Sequence, residues 1–333
     1  MIALLYAACG SGCVWNWGRQ PTPPVPNVFN TMPTSEQLVQ AVNANTVKIR
    51  QLQTTGATIT IPGLPSLTAT VAMERPRRFR MRAGTRITGT ELDLGSNDDL
   101  FWLWVQRNQP PAVLFCRHDQ FHYSTAKQVL PIEPDWLLEA MGLVYFSPDD
   151  YHEGPYPHGA GTVEIRSVLR RPHGELTKIT VIDQANAVVL EQHLFDANGQ
   201  RLASSRTSEH VFDPVVQAAL PRHIDIELPP ADMRFAVDVG EYMINQLNAN
   251  LAQLWEMPVV DGYPPIDLAS RQTPSSPPAA PSLPPYGGQP YPATGTPDYN
   301  PGFNPGYTPP FSTRIGPQAA LPNAGHDIYP RRR

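Results

Sequence analysis

The chain has 333 residues, 39 of them proline, and a formal charge of −5 at pH 7. Its basic residues are mostly interspersed with acidic ones, so no extended positive surface is expected and nucleic acid is excluded as a partner. Three cysteines, Cys9, Cys13 and Cys116, are too few and too widely spaced for a disulfide framework or a four-ligand zinc site. About half of the prolines follow Met257, which leaves roughly 230 residues for one large β domain.

The first nine residues form a short apolar run that ends in two alanines and Cys9. This run is too short for a transmembrane helix, but it resembles the lipobox of bacterial lipoprotein signal peptides. The resemblance implies that the Cys9 thiol carries a lipid. The run departs from that pattern at Tyr6, where leucine is usual, and it lacks a positively charged start, so we expect the true start codon to lie upstream. Cys13 is the competing modification site, and an ordinary frayed terminus is the alternative interpretation.

A helix is predicted at the start of the domain. Residues 10–33, which begin rich in glycine and proline, are expected to form a linker between membrane and domain. Thr34 and Gln37 then fit a capping box, in which each side chain satisfies an early backbone N–H. Apolar residues follow at helical spacing, namely Leu38, Val42, Ile49 and Leu52. The pattern predicts an amphipathic helix from Ser35 to about Gln53 with one buried stripe.

The next segments alternate between apolar and polar residues. This period of two runs through Leu67 to Met73 and through Arg78 to Arg82, and it predicts antiparallel strands with one dry and one wet face. Asp98 to Gln106 is apolar on both sides, so that strand is expected to be covered on both faces. About ten strands are predicted in all, mostly joined by short turns.

Helices are also predicted in the middle and at the end of the domain. Glu133 to Leu143 has a helical stripe that ends at Gly142, and a closing helix is expected to stop before Pro258. Ser147 to Gly161 lacks periodicity and is predicted to be a long surface loop. His223 to Leu228 and Met233 to Val239 flank two prolines and are predicted to form a hairpin.

From residue 258 to residue 333 the apolar periodicity vanishes. Tyrosines and phenylalanines stand singly among proline, glycine, threonine and asparagine, as in the segment from Tyr299 to Tyr307. Such a composition buries too little surface to offset the entropy of ordering, so a disordered tail is expected. The tail is interpreted as a solvated spacer, with contacts to other envelope components as the further alternative.

The order of elements resembles the LolA/LolB-like and LppX-like bacterial lipoproteins. It consists of an N-terminal helix, a run of antiparallel strands, a mid-chain helix and more strands, over residues 34–257. The segment from Gly95 to Trp104, followed by Pro110-Pro111, also resembles uncharacterised planctomycete lipoproteins. The resemblance implies a curved antiparallel sheet that forms an incomplete β-barrel, with helices on its concave side and a hydrophobic cavity for acyl chains.

A cavity of this kind needs large or adaptable apolar side chains around it. The candidates are Met73, Phe79, Met81, Trp102, Trp104 and Trp136. The alternative is that these side chains fill a core, as aromatic stripes on buried strands usually do.

Catalytic and metal sites are not expected. His118 and His122 are four residues apart, but they follow a strand and lack the glutamate of a zincin, so a surface loop is predicted. His152, Glu153 and His158 share a flexible loop that would organise metal ligands poorly. No Gly-x-Ser-x-Gly elbow, phosphate-binding loop or dinucleotide turn occurs in the sequence. No cofactor, metal or enzymatic activity is therefore predicted.

The sequence thus predicts a membrane-anchored lipoprotein of the cell envelope that faces the periplasm. Its expected partner is a lipid, or the acyl chains of another lipoprotein, sequestered in the half-barrel. The alternative is a non-catalytic structural or adaptor lipoprotein with a filled core and an interaction tail.

Overall fold

The computed structural model describes residues 23–171, 173–247 and 251–270, and within them it forms a mainly β architecture. The strands are β1 (Gln51–Thr55), β2 (Ala57–Thr60), β3 (Leu67–Glu74), β4 (Arg78–Thr85), β5 (Gly89–Ser96), β6 (Leu100–Val105), β7 (Val113–Arg117), β8 (Tyr151–Gly159), β9 (Thr162–Arg171), β10 (Gly174–Asp183), β11 (Val189–Phe195), β12 (Arg201–Ser208), β13 (Val211–Asp213), β14 (Ala218–Leu220), β15 (His223–Leu228), β16 (Met233–Asp238), β17 (Glu241–Ile244) and β18 (Pro265–Asp267). The α-helices are α1 (Ser35–Thr46), α2 (Ala126–Val129), α3 (Asp135–Ala140) and α4 (Leu251–Leu254), and His118–Tyr123 and Pro229–Ala231 are 3-10 helices.

Sixteen of these strands form one curved sheet. Its order is β18-β7-β6-β5-β4-β3-β2-β16-β15-β12-β11-β10-β9-β8, and β1 pairs with β3 and β17. Every pairing is antiparallel except that of β18 with β7, so the sheet is mixed rather than purely antiparallel. The predicted hairpin of β15 and β16 is confirmed, with Ile224 opposite Val237. Strands β13 and β14 form a separate two-stranded sheet.

Helix α1 begins as predicted and ends earlier. Thr34 and Gln37 make the expected capping box. The predicted extension to Gln53 is wrong, because residues 51–55 pair as β1 with β3 and β17. Leu52 there lies opposite Met73 and is buried. An apolar residue every three or four positions fits one long helix, and it fits a short helix followed by a strand equally well. The spacing alone therefore could not locate the end of α1.

The segment predicted as a surface loop is an edge strand. Residues 151–159 form β8, which pairs with β9 across two register irregularities. Most of its side chains are exposed or half-buried. An edge strand with little burial on either face has no reason to alternate apolar and polar residues, which explains why the sequence pattern missed it.

The folded part of the chain extends past both expected domain boundaries. The backbone N–H groups of Val28 and Phe29, in the predicted linker, donate to the carbonyl oxygen of Ala185. Residues 258–270, assigned to the tail from their composition, include β18 and pack on the sheet through Val260 and Tyr263. The entropy cost of ordering this proline-rich stretch is offset by the apolar surface that it buries against Trp102 and Trp104 on β6. Residues 1–22 and 271–333 lie outside the described residues.

The sheet has two covered faces in its first half. Phe101 belongs to the large core with α2, α3 and strands β1–β4, whereas its neighbours Trp102 and Trp104 point the other way. We call the first side the helical face and the second the outer face. The prediction that β6 is covered on both faces is confirmed. Gly95 lies opposite Trp102, and a Cβ there would come within 2.1 Å of the indole ring, so only glycine fits.

The predicted middle helix is shorter than expected, and the predicted closing helix is present and ends before Pro258. The middle helix, α3, covers Asp135–Ala140, and Gly142 follows it with a φ of +101°, a value that glycine tolerates best. The closing helix, α4, covers Leu251–Leu254. Among the described helices, none is long and apolar enough to cross a membrane.

Candidate ligand cavity

A cavity of about 560 Å³ lies between the helical segment 118–140 and strands β9–β12. We call it the α3 cavity. Its floor is made by the strands and their turns, and its cover by the 3-10 helix 118–123, α2 and α3. The lining consists of Phe121, His122, Lys127, Pro131, Ile132, Glu133, Asp135, Trp136, Glu139, Leu169, Arg171, His173, Gly174, Glu175, Leu176, Lys178, Leu194, Asp196, Ala197, Asn198 and Leu202.

The register of the strands explains why the floor is apolar. Leu169 on β9 lies directly opposite Leu176 on β10. Two pairs further along, Ser167, Lys178, Leu194 and Ala203 form a row across β9 to β12. In this row Lys178 and Leu194 line the cavity, whereas Ser167 and Ala203 are fully buried and do not. The result is a leucine floor beside a gap.

A partly buried ion pair marks the inner end of the cavity. Lys178 is 3% exposed, and its Nζ donates to Glu139 Oε2 on α3 at 2.8 Å. The ammonium also lies 5.5 Å from the centre of the Phe146 ring. The Gln192 side chain donates to the backbone oxygen of Glu139 at 3.1 Å. These contacts connect α3 to β10 and β11 and hold the cover over the floor.

A cluster of aromatic and acidic side chains surrounds the other end of the cavity. His122 Nε2 lies 2.7 Å from Glu133 Oε1, and the His122 and His173 rings are 4.2 Å apart. The Tyr123 hydroxyl is 3.0 Å from His173 Nδ1. His122 and His173 sit on different elements, so this cluster joins the cover to the β9–β10 hairpin.

Two polar atoms of α3 lack hydrogen-bond partners among the described residues. They are Trp136 Nε1 and Asp135 Oδ1, and both residues line the cavity. Burial raises the pKa of the Asp135 carboxyl, while Arg77, whose guanidinium is 3.5 Å away, acts in the opposite direction. Buried polar atoms without partners cost free energy, so these positions favour a ligand or water that supplies them.

The six side chains predicted to line a cavity are divided among three places. Met73, Phe79 and Met81 are at most 3% exposed and lie inside the large core on the helical face. Trp102 and Trp104 lie on the outer face under Met257, Val260 and Tyr263. Trp136 alone of the six lines the α3 cavity.

On the outer face, Trp102 is part of a buried polar network. Its Nε1 donates to Asp93 Oδ1 at 3.0 Å, and Arg80 holds both oxygens of the same carboxylate at 3.1 and 2.7 Å. Arg80 also donates to the backbone oxygens of Gln253 and Leu254. The network thus fastens the chain around α4 to the outer face.

Sequence reasoning missed Leu169, Leu176 and Lys178 as cavity residues. Strand β10 offered two signals for an inward-facing row. Leu176, Lys178 and Thr180 occupy alternate positions, and Lys178 is a charged residue on the buried face of this strand. The cover contributes His122, which lies on a 3-10 helix at the cavity and not on the predicted surface loop.

The remaining sequence candidates do not converge on a site. His152 contacts Ser167 and Ser147, and His158 contacts Glu164, on the edge strand β8. Within the described ranges, no three His, Cys, Asp or Glu side chains are placed to hold a metal ion. Cys116 is buried beside Ser124. Cys9 and Cys13 lie outside the described residues.

No family model and no curated protein matches the chain. Solved structures with a similar backbone include a LolA superfamily protein from Nitrosomonas europaea, with a TM-score of 0.41 and 11% identity over 68% of this chain and 98% of that one. A putative outer membrane lipoprotein-sorting protein domain from Vibrio parahaemolyticus has a TM-score of 0.46 and 8% identity, over 67% and 100%. A DUF1329 family protein from Desulfovibrio piger has a TM-score of 0.44 and 9% identity, over 67% and 98%. LolA-like structures are therefore among those that this fold resembles, as the order of elements predicted.

Proposed function

We propose that this chain is a non-catalytic protein of the cell envelope that sequesters an acyl chain in the α3 cavity. The observation that carries the proposal is the leucine floor, made by Leu169, Leu176 and Leu194, beneath an aromatic and aliphatic cover. A pocket of about 560 Å³ has the size of sites that enclose small molecules, which span roughly 300–1,000 Å³.

The physical basis of the proposed function is removal of the acyl chain from water. Each buried CH₂ group contributes about 0.8 kcal/mol, so a chain that occupies even part of the floor is held against solvent. The polar side chains at the two ends of the cavity would provide contacts for the polar end of the ligand. In this proposal the curved sheet acts as an incomplete barrel, with α3 as its cover.

The proposed anchor is a lipid on Cys9, with residues 10–22 as the tether that leads to the described domain. This places the cavity beside a membrane on the periplasmic side. The proposal for the anchor rests on the lipobox-like sequence alone. It predicts that the intact mass of the membrane-extracted protein includes a lipid on Cys9, and an unmodified Cys9 would contradict it.

A filled core favours a second function, that of a structural or adaptor lipoprotein. Met73, Phe79, Met81 and Trp102 are at most 3% exposed, as expected for side chains that stabilise a scaffold. In this alternative the α3 cavity holds water, and the tail contacts other envelope components.

Ligand uptake by the full chain distinguishes the two functions. Protein purified from a bacterial host is examined by native mass spectrometry, before and after addition of a monoacylglycerol. A lipid carrier retains about one ligand per chain, whereas the adaptor stays ligand-free in both states.

A pair of tryptophan substitutions locates the site. Leu176→Trp places a large ring over the floor of the α3 cavity and is expected to abolish uptake. Thr177→Trp is the matched control, because successive residues of β10 point to opposite faces of the sheet. Uptake that survives in Leu176→Trp at the level of the wild type would place the ligand elsewhere and contradict the proposed site.

A further inference from the structure

The lining of the α3 cavity contains buried N–H groups without acceptors. An ammonium has three N–H donors, and Glu139 takes one from Lys178 among the described residues. Trp136 is 6% exposed, and its indole N–H has no acceptor among the described residues. Both residues line the cavity. A ligand that brings an acceptor oxygen would satisfy these donors, which are otherwise costly to bury.

The charges around this cavity argue against an anionic ligand. Its lining has five carboxylic acids against two lysines and one arginine. Lys178 is already paired with Glu139, and Arg171 is paired with Asp150 at 2.8 Å. The third cation of the lining, Lys127, is exposed and has no ion pair among the described residues, but the carboxylic acids outnumber the cations. A carboxylate or phosphate would therefore enter a net negative cavity, and it would lose its hydration on entry.

Buried N–H donors in a net negative lining fit a neutral acceptor. We propose that Lys178 and Trp136 bind the carbonyl oxygen that joins an acyl chain to its headgroup, in an ester or an amide. The leucines at 169 and 176 would then hold the hydrocarbon that follows this carbonyl. The inference rests on the proposed function, and it names the ligand class as ester- or amide-linked acyl chains rather than free fatty acids.

A matched pair of lipids tests the carbonyl directly. A 1-monoacylglycerol and a 1-O-alkylglycerol of equal chain length differ in the carbonyl group, which the ether lacks. Displacement of a hydrophobic fluorescent dye from the full chain gives the affinity of each. The ester is expected to bind about tenfold more tightly than the ether, the size of one hydrogen bond to a charged donor. An N-acylethanolamine of equal length is the amide arm, and preference for either carbonyl lipid over the ether supports the inference.

Substitutions assign the preference to the two donors. Lys178→Met is expected to reduce the ester-to-ether ratio to about one, and Lys178→Arg, which keeps charged donors, to restore part of it. Lys48→Met is the matched control, because Lys48 is exposed and lies outside the cavity lining. Trp136→Phe keeps an aromatic ring and removes the N–H, so a lower ratio is expected there also, even where Lys178→Met does not fold.

The outcomes separate this inference from the proposed function. If no lipid displaces the dye, the proposed function is wrong. If ester, amide and ether bind equally well, the cavity takes acyl chains but the carbonyl site is wrong. If the free fatty acid of equal length binds more tightly than the ester, the ligand is anionic and the charge argument is overturned.

Discussion

Two regions of the helical face use apolar side chains in different ways. Over β3 and β4, the face presents Met73, Phe79 and Met81, which are large enough to meet the helices and fill the space. Over β9 to β12, the face carries the leucines at 169, 176 and 194, and a gap of about 560 Å³ remains between them and α3. Both regions are apolar, so apolar character alone does not decide whether the sheet forms a core or a cavity.

Polar contacts differ between the two regions as well. In the first region, the buried Arg80–Asp93 pair lies on the opposite side of the same strands, the outer face. There it hydrogen-bonds to the Trp102 indole and to backbone oxygens near α4. In the second, the Lys178–Glu139 pair is on the helical face, at the cavity itself. The Arg80 guanidinium donates to Asp93 and to backbone oxygens of the protein, whereas the Lys178 ammonium donates to Glu139 alone among the described residues. We therefore expect substitutions in the first region to change stability and those in the second to change ligand binding.

The largest expected effect is that of Asp93→Ala. Removal of this carboxylate leaves Arg80, 3% exposed, without its partner, and a broken buried pair costs about 3–5 kcal/mol. The free energy of unfolding from urea denaturation measures the loss. Asp98→Ala is the control, because the Asp98 side chain is 56% exposed and its contact with Arg78 contributes about 0.2–1 kcal/mol. Equal losses in the two variants would refute the anchoring role of the network.

A pair of leucine substitutions compares the two regions directly. Leu52 is 1% exposed within the packed region, so Leu52→Ala is expected to cost about 3 kcal/mol in unfolding free energy. Leu176 borders the existing gap and is half-buried, so Leu176→Ala is expected to cost about half as much or less. Dye uptake is expected to weaken in Leu176→Ala and to persist in folded Leu52→Ala. The reverse order of stability losses would show that the cavity is filled in solution.

The smallest expected effect lies in the hairpin of β15 and β16, which joins the two regions in the sheet. Hydrogen bonding to Asp238, and then contact with Asp225, raises the pKa of His223. A raised folded pKa adds stability below the unfolded value of about 6.5, and that stability is lost as the pH rises through the folded pKa.

His223→Gln should therefore lower the unfolding free energy at acidic pH by about 0.2–1 kcal/mol, since the pair is partly exposed. The difference from the wild type should vanish at alkaline pH. Urea denaturation on both sides of the titration measures it. A difference that grows with pH would contradict the assigned sign.

The sequence predicted those parts of the fold that have a local chemical cause. The Thr34–Gln37 capping box, the existence of β3 and β4, and the two covered faces of β6 were all readable. The wet face expected for β3 and β4 is wrong at Ala72 and Arg80, which are buried because Arg80 pairs with Asp93 beneath the chain around α4. The edge strand β8 was not, because it has little burial to impose a pattern. Strand β18 was not, because three residues paired to a distant strand have no local signal.

The candidate site was harder to predict than the fold. Large apolar side chains were taken as cavity candidates, but size makes Phe79 and Met81 fill space instead of lining it. The lining of the α3 cavity depends on which side chains align across β9 to β12, and this register is set by hairpins that the sequence locates only approximately. Trp136 was a cavity candidate in the sequence, and helix α3 carries it to the lining of the α3 cavity.

Methyl NMR of the full chain, titrated with a monoacylglycerol, tests the contrast between the two regions most directly. With leucine methyl groups labelled, the account predicts shifts and ligand contacts at Leu169, Leu176 and Leu194, and none at Leu52 or Leu38. Ligand contacts at Leu52, or saturating ligand that leaves all three floor leucines unshifted, would contradict the assignment of the α3 cavity as the acyl-chain site.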